Sequence, residues 1–276
     1  MRSLLLPRGQ LTFEHLAVMG ILNLTTDSFH AASRVSEGEL LRRAEAMLEE
    51  GAAVLDLGAE STRPGSDPVP ADVEEERITQ GVRALRKAFP EALLSVDTYR
   101  AATAHRAMTE GADIINDISA LTFDDAMADT AARHKAGLIL MHIKGEPKTM
   151  QQAPHYEDLM GEVKAFLRRA IDRALAAGCS PASLMLDPGI GFGKSFDHNV
   201  ELLRRLSELR LDDLPLLVAA SRKGFIGKHL GGLPSEERLE GTIAVTCQAV
   251  VGGAEMVRVH DVKENLRAAR VMELFK

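Results

Sequence analysis

Several short apolar runs in this chain end in side chains that can bind or react. Asp97, Asn116 and Asp187 each close such a run, and Lys223 follows another after Ser221-Arg222. Carboxylates and an amide supply paired acceptors, and a lysine supplies a donor to a ring carbonyl or nitrogen. Together they suit a flat heterocycle with amidine-like N–H edges. Asn23, Thr62, Arg63, Arg258 and His260 form a second set, donors matched to phosphate oxygens. Taken singly, each has a plainer role. An Asp at a strand end commonly caps the next helix, a lone His is usually structural, and Arg63 alone reads as a solvated loop charge. Asp117 and His142 are evenly balanced between the two readings. Eight run ends carrying such groups together favour a site.

Some motifs point elsewhere and fail. Gly189-Ile190-Gly191-Phe192-Gly193-Lys194-Ser195 has the look of a phosphate loop, but that spacing needs glycine at position 188, where Pro188 stands. The dinucleotide fingerprint fails at Lys194. The segment reads instead as a loop that approaches a ligand closely, with Phe192 as an apolar wall. The chain has no G-x-S-x-G elbow and no H-E-x-x-H pair, which argues against a serine hydrolase and a catalytic zinc.

The elements that must position these residues repeat along the chain. Helical segments give way to strand-length runs that are apolar on both faces, as buried parallel strands are. Gly51, Gly111, Gly137 and Gly252-Gly253 stand before such runs, where a left-handed glycine can end a helix. Eight strands are expected: Ala17–Leu22, Val54–Leu57, Leu93–Val96, Ile114–Ile115, Leu138–Met141, Leu184–Leu186, Leu216–Ala219 and Met256–Val259. Amphipathic helices are expected over Glu37–Glu50, Glu162–Ala177 and Asn199–Leu209. Eight such units predict a single-domain (β/α)₈ TIM barrel over residues 1–276, with residues 1–16 as a cap or hairpin at its bottom. Sites in that fold lie at the C-terminal ends of the strands, and phosphate is often bound near strands seven and eight, which favours Arg258 and His260.

Composition sets outer limits. The chain's 276 residues, 45% hydrophobic and 26% charged, suit one well-filled core. A net charge of −7 argues against a general nucleic-acid binder. Two cysteines far apart, Cys179 and Cys247, argue against a disulfide framework. Met1 to Gln10 is too short and broken for a signal segment, and no run approaches a membrane span. A cytoplasmic protein is expected.

The ordered set of motifs resembles the dihydropteroate synthase family. The matching stretches are Met19-Gly20-Ile21-Leu22-Asn23 with Asp27-Ser28-Phe29, Glu60-Ser61-Thr62-Arg63-Pro64-Gly65, Ser95-Val96-Asp97-Thr98 and Ile115-Asn116-Asp117. Met141-His142, Leu186 to Lys194, Ser221-Arg222-Lys223 and Arg258-Val259-His260-Asp261 complete it across nearly the whole chain.

That resemblance implies a transferase of folate biosynthesis. It would join 6-hydroxymethyl-7,8-dihydropterin pyrophosphate to p-aminobenzoate, with Mg²⁺ assisting and sulfonamides competing. Asp97, Asn116, Met141, Asp187, Phe192, Lys223 and Arg258 would hold the pterin. Asn23, Thr62, Arg63, Arg258 and His260 would hold the pyrophosphate, with Asn23 helping to place the metal. Phe29, Thr62, Pro64, Phe192 and Lys223 would form the p-aminobenzoate pocket. The family is usually dimeric through barrel helices, and the segments 243–251 and 266–275 are apolar enough to allow that.

The first loop departs from the family pattern. Thr26 stands in place of a proline, and His30 to Arg34 replace an Asp/Gly-rich turn. Two other readings remain open at this level. One is a catalytically silent pterin-binding homologue, supported by that loop. The other is a methyltetrahydrofolate-binding corrinoid methyltransferase, which would have no use for Arg63, Arg258 and His260 as an anion cluster.

Overall fold

The computed structural model describes residues 1–24, 34–60 and 69–275. Phe29, Thr62, Arg63, Pro64 and most of the loop from Thr25 to Ser36 lie outside them. A hairpin of β1 (Arg2–Leu6) and β2 (Gly9–Phe13) comes first. Strands and helices then alternate: β3 (Ala17–Asn23), α1 (Arg34–Glu49), β4 (Val54–Gly58), α2 (Ala71–Ala88), β5 (Leu94–Asp97), α3 (Ala101–Thr109), β6 (Ile114–Asp117), α4 (Met127–His134), β7 (Gly137–Met141) and α5 (Leu159–Ala176). The rest are β8 (Leu184–Asp187), α6 (Phe196–Arg204), β9 (Leu217–Val218), α7 (Gly224–His229), α8 (Leu239–Val251), β10 (Met256–Val259) and α9 (Val262–Glu273).

All eight strands expected from the sequence are present. They lie parallel in the order β8-β7-β6-β5-β4-β3-β10-β9. A parallel bridge between Leu186 and Leu216, with Leu186 N–H donating to Pro215 O at 2.9 Å, joins the two ends and closes the barrel. Two details differ from expectation. The helix expected over Asn199–Leu209 stops at Arg204 and continues as a 3₁₀ turn over Leu206–Leu209. Leu206 and Leu209 are both buried, and a three-residue repeat puts both on one side. Gly51, Gly111 and Gly253 do take positive φ, but before β7 it is Lys135 (φ 52) that ends the helix. Gly137 is needed for space instead, since a Cβ there would lie 2.6 Å from Leu6 Cδ2.

Side-chain alternation sorts the strands into two cores. Leu55, Leu57, Val96, Leu138, Leu140, Leu186, Val218 and Val257 face outward, into the layer shared with the helices. Met19, Val54, Ile114, Ile139, Met185, Leu217 and Met256 face inward and pack against Leu4, Leu6 and Phe13 of the hairpin, which fills the barrel bottom. Two residues further along the same strands come Asp56, Asn116, Met141, Asp187 and Arg258. Period two therefore turns them inward as well, one layer above an apolar plug. Among the described residues no helix is long and apolar enough to cross a membrane.

Candidate active site

Arg258, on β10, organises the mouth. Its Nε donates to Asp56 Oδ2 at 2.5 Å and its Nη2 to Asp97 Oδ2 at 2.7 Å. Asn116 Nδ2 reaches the same Asp56 oxygen at 3.4 Å. Burial disfavours the charge on Arg258, yet Asp56 and Asp97 outweigh that and raise its pKa. Donor type groups Arg258 with the anion-binding residues and the family resemblance sets it at the pterin as well; the structure shows its guanidinium among the deep carboxylates. Its length explains this, because a guanidinium on an inward-facing strand position reaches over the mouth to carboxylates two and three strands away.

The carboxylates are held short of full satisfaction. Burial pushes the Asp97 carboxyl up to about 7 despite Arg258, and the charge of Asp56 adds to the rise. Burial likewise pushes Asp187 up to about 6; the Gly189 N–H at 2.7 Å and the charges of Lys223, Lys194 and Arg258 oppose this. Asp56 and its register neighbour Ser95 contribute two buried oxygens, Oδ1 and Oγ, with no hydrogen-bond partner among the described residues. Such atoms at a strand-end mouth are acceptors suited to N–H groups from outside.

One wall is apolar. Phe192 and Met141 are buried with Ile118, Ile143 and Met150. Lys223 Nζ lies 3.9 Å from the centre of the Phe192 ring. The loop carrying Phe192 is pressed against the end of β7, where a Cβ at Gly189 (φ +68) would lie 1.9 Å from His142 O. Only glycine permits that approach. Lys194 is buried, donates to Phe192 O at 2.9 Å and sits 2.8 Å from His142 Nδ1. It fastens the loop from behind and is no phosphate lysine. Burial and the charge of Lys194 drive His142 down to about 2, so its ring is neutral.

Of the two evenly balanced residues, then, His142 holds a loop. Asp117 holds a turn, accepting from Ser119 N, Ser119 Oγ and Leu121 N within 2.8 Å. At the rim, Asn23 ends β3 and is exposed. His260 follows β10, with its Nδ1 2.9 Å from Ser221 Oγ. The structure thus brings Asp97, Asn116, Met141, Asp187, Phe192, Lys223, Arg258 and His260 to one end of the barrel.

Comparison with known proteins agrees with this layout. Residues 19–260 match the family described as "Pterin binding enzyme". The chain is 43% identical over 272 residues to a dihydropteroate synthase from Synechocystis, covering 97% of this chain and 94% of that one. A crystal structure of the Yersinia pestis dihydropteroate synthase with a sulfonamide drug superposes with a TM-score of 0.92 at 40% identity, covering 99% of this chain and 98% of that one. The Burkholderia cenocepacia dihydropteroate synthase in complex with 7,8-dihydropteroate gives 0.90 at 40% identity, covering 99% and 96%. The chain belongs to the dihydropteroate synthase family.

For a dihydropteroate synthase, the residue that sequence reasoning missed is Asp56. It lies inside the run Val54-Leu55-Asp56-Leu57 rather than at its end. A signal existed nonetheless. A charged residue within a strand buried on both faces must find a partner of opposite charge, and Asp56 is fully buried against Arg258.

Proposed function

We propose that this barrel mouth joins 6-hydroxymethyl-7,8-dihydropterin pyrophosphate to p-aminobenzoate, with its two layers dividing the work. Asp187, Asn116 and Lys223 bind the edge of the pterin, with Met141 and Phe192 against its faces. Asp97 stabilises positive charge that develops on the pterin when the exocyclic carbon–oxygen bond breaks. Arg258 and His260, with Thr62 and Arg63, receive the leaving pyrophosphate, where preorganised donors lower the barrier. The amine of p-aminobenzoate, held among Phe29, Pro64, Phe192 and Lys223, forms the new carbon–nitrogen bond and releases a proton. An arylamine keeps its lone pair at neutral pH, so the step needs no strong base. The observation carrying this reading is Arg258 bonded to both Asp56 and Asp97, with Asn116 on the same Asp56 oxygen and buried acceptor atoms left over among the described residues.

Asn23 is an exposed neutral oxygen donor, and the described residues contain no cluster of three or more His, Cys, Asp or Glu able to enclose an ion. That donor set suits Mg²⁺ held mainly by pyrophosphate oxygens and water, with Asn23 as the protein ligand. When bound, the ion would supply charge neutralisation on the leaving group. We further infer a cytoplasmic homodimer. Val251 at the end of α8 and Val271 and Leu274 at the end of α9 are exposed apolar side chains suited to a partner.

The test is pyrophosphate release with both substrates and Mg²⁺. Absence of release by protein that binds the pterin would refute the reading. Arg63→Ala should slow turnover while leaving pterin affinity nearly unchanged; weak pterin binding with normal turnover would overturn the division into two layers.

A further inference from the structure

The ends of β9 and β10 carry Lys223 and His260, yet almost no backbone pairing holds them together. β9 pairs with β10 only at Leu217–Met256 and Val218–Val257. Beyond that point Arg258 and Val259 pair on the other side, with Met19 and Gly20 of β3. Residues 219–223 leave the sheet in a turn closed by Lys223 N–H donating to Ala220 O at 3.3 Å.

Side chains take over where the ladder stops. His260 N–H donates to Ser221 Oγ at 3.2 Å, and the same hydroxyl lies 2.9 Å from His260 Nδ1. One residue on, Arg222 grips Asp261 with two parallel bonds, Nε to Oδ2 at 3.1 Å and Nη2 to Oδ1 at 2.6 Å. Fork-to-fork pairing of this kind fixes direction as well as distance.

The backbone of Arg222 shows how tightly this point is determined. Its φ is +57°, a left-handed conformation that is costly for a side-chain-bearing residue. Its N–H donates to Thr242 Oγ1 at 3.0 Å, and its carbonyl accepts from Arg238 Nη1 at 2.8 Å. Three neighbours thus hold its N–H, its C=O and its guanidinium. The next residue is Lys223, whose ammonium meets the Phe192 ring.

We propose that Arg222 and Asp261 are positioning residues: their ion pair sets the register between the ends of β9 and β10, and so the spacing between Lys223 and His260. Neither residue needs to touch substrate. This rests on the roles given above to Lys223 and His260.

Arg222→Gly separates positioning from strain. Glycine adopts φ +57° freely, so the fold should keep its thermal midpoint or gain slightly. Loss of the pair should lower kcat/KM for the pterin pyrophosphate by roughly 10²-fold, the scale of an ångström-level misplacement. The loss should fall mainly in KM, with a matching rise in the Kd of inorganic pyrophosphate measured by calorimetry. Adding Asp261→Asn to Arg222→Gly should cost nothing more, because both remove one interaction.

Wild-type kcat/KM in Arg222→Gly, or two losses that multiply, would overturn the proposal. If Arg222→Gly does not fold, Asp261→Asn alone carries the same test with the backbone at 222 untouched. Lys223→Ala and His260→Ala serve as controls: full activity in both would refute the reading of the site, whereas their loss beside an unaffected Arg222→Gly would refute only the positioning role.

Discussion

The bottom of the barrel and the inward-facing layer of its mouth treat buried carboxylates in opposite ways. At the bottom, Asp113 is fully buried and well met: Arg8 bonds both of its oxygens, at 2.8 and 3.1 Å, and Oδ2 also accepts from Arg86 Nη2 and Leu94 N–H, each at 2.9 Å. Glu255 accepts from Arg2 and Arg210 side chains and from Leu216 N–H. At the mouth, Asp56 keeps one buried oxygen without a partner among the described residues, and burial lifts Asp97 and Asp187 to about 7 and 6. Carboxylates that are fully met hold the fold closed. Carboxylates that are not are set for donors that arrive with a ligand, at some cost to stability.

The contrast can be broken at either end. Asp113→Ala should have the largest effect, leaving Arg8 and Arg86 without their shared partner and destabilising the fold by about 3–5 kcal/mol in denaturant melts. The activity of the remaining folded protein should not change; a loss of kcat/KM per folded molecule would erase the distinction between the ends. Asp187→Ala and Lys223→Ala should do the converse, weakening pterin binding by about 100-fold or more, or about 3 kcal/mol, in calorimetry while the protein stays folded.

Acidity should sharpen the comparison. Ligand-free Asp97 and Asp187 take up protons as pH falls through about 7 and 6, whereas a pterin donating N–H groups needs them ionised. Pterin affinity should therefore fall by about tenfold or more from pH 8 to 5.5. A flat profile would mean that these carboxylates do not meet the ligand as anions.

The smallest expected effect concerns stability. Asp187 has a higher pKa in the folded chain than the ordinary value of 3.8, so the native state binds the proton more tightly. Its contribution favours folding at low pH and is lost as pH rises from about 4 through about 6. Asp187→Asn, which keeps the acceptor for Gly189 N–H, should thus stabilise the protein at pH 8. The gain should be about 1 kcal/mol, reduced from the linkage limit because the attraction of Lys223 and Lys194 is also lost. A lower thermal midpoint at pH 8 would show that the charge there is already well compensated.

Much of this molecule is legible in its sequence. Strand-length apolar runs separated by helical segments specified a closed parallel barrel, because period and length are local properties of the chain. Asp97, Asn116 and Asp187 could be picked out because each stands where an apolar run stops, and in this fold that is the mouth. The sequence also placed Phe192 as a wall and rejected its loop as a phosphate cradle.

What the sequence left undecided depends on distances across the barrel. Asp56 sits 202 positions from the arginine that partners it, and although a charge inside an apolar strand signals that a partner exists, nothing local says which residue it is. Side-chain type alone puts Arg258 with the anion donors, and the family resemblance puts it at the pterin as well; only the closed barrel brings Asp56 and Asp97 within reach of its guanidinium. Asp117 and His142 were undecidable by type, and their hydrogen-bond partners make them structural. Local pattern thus determined which strands form and where they end. Closure of the sheet decided which polar groups meet, because a charge in the low-dielectric interior is defined by the group opposite it rather than by its neighbours in the chain.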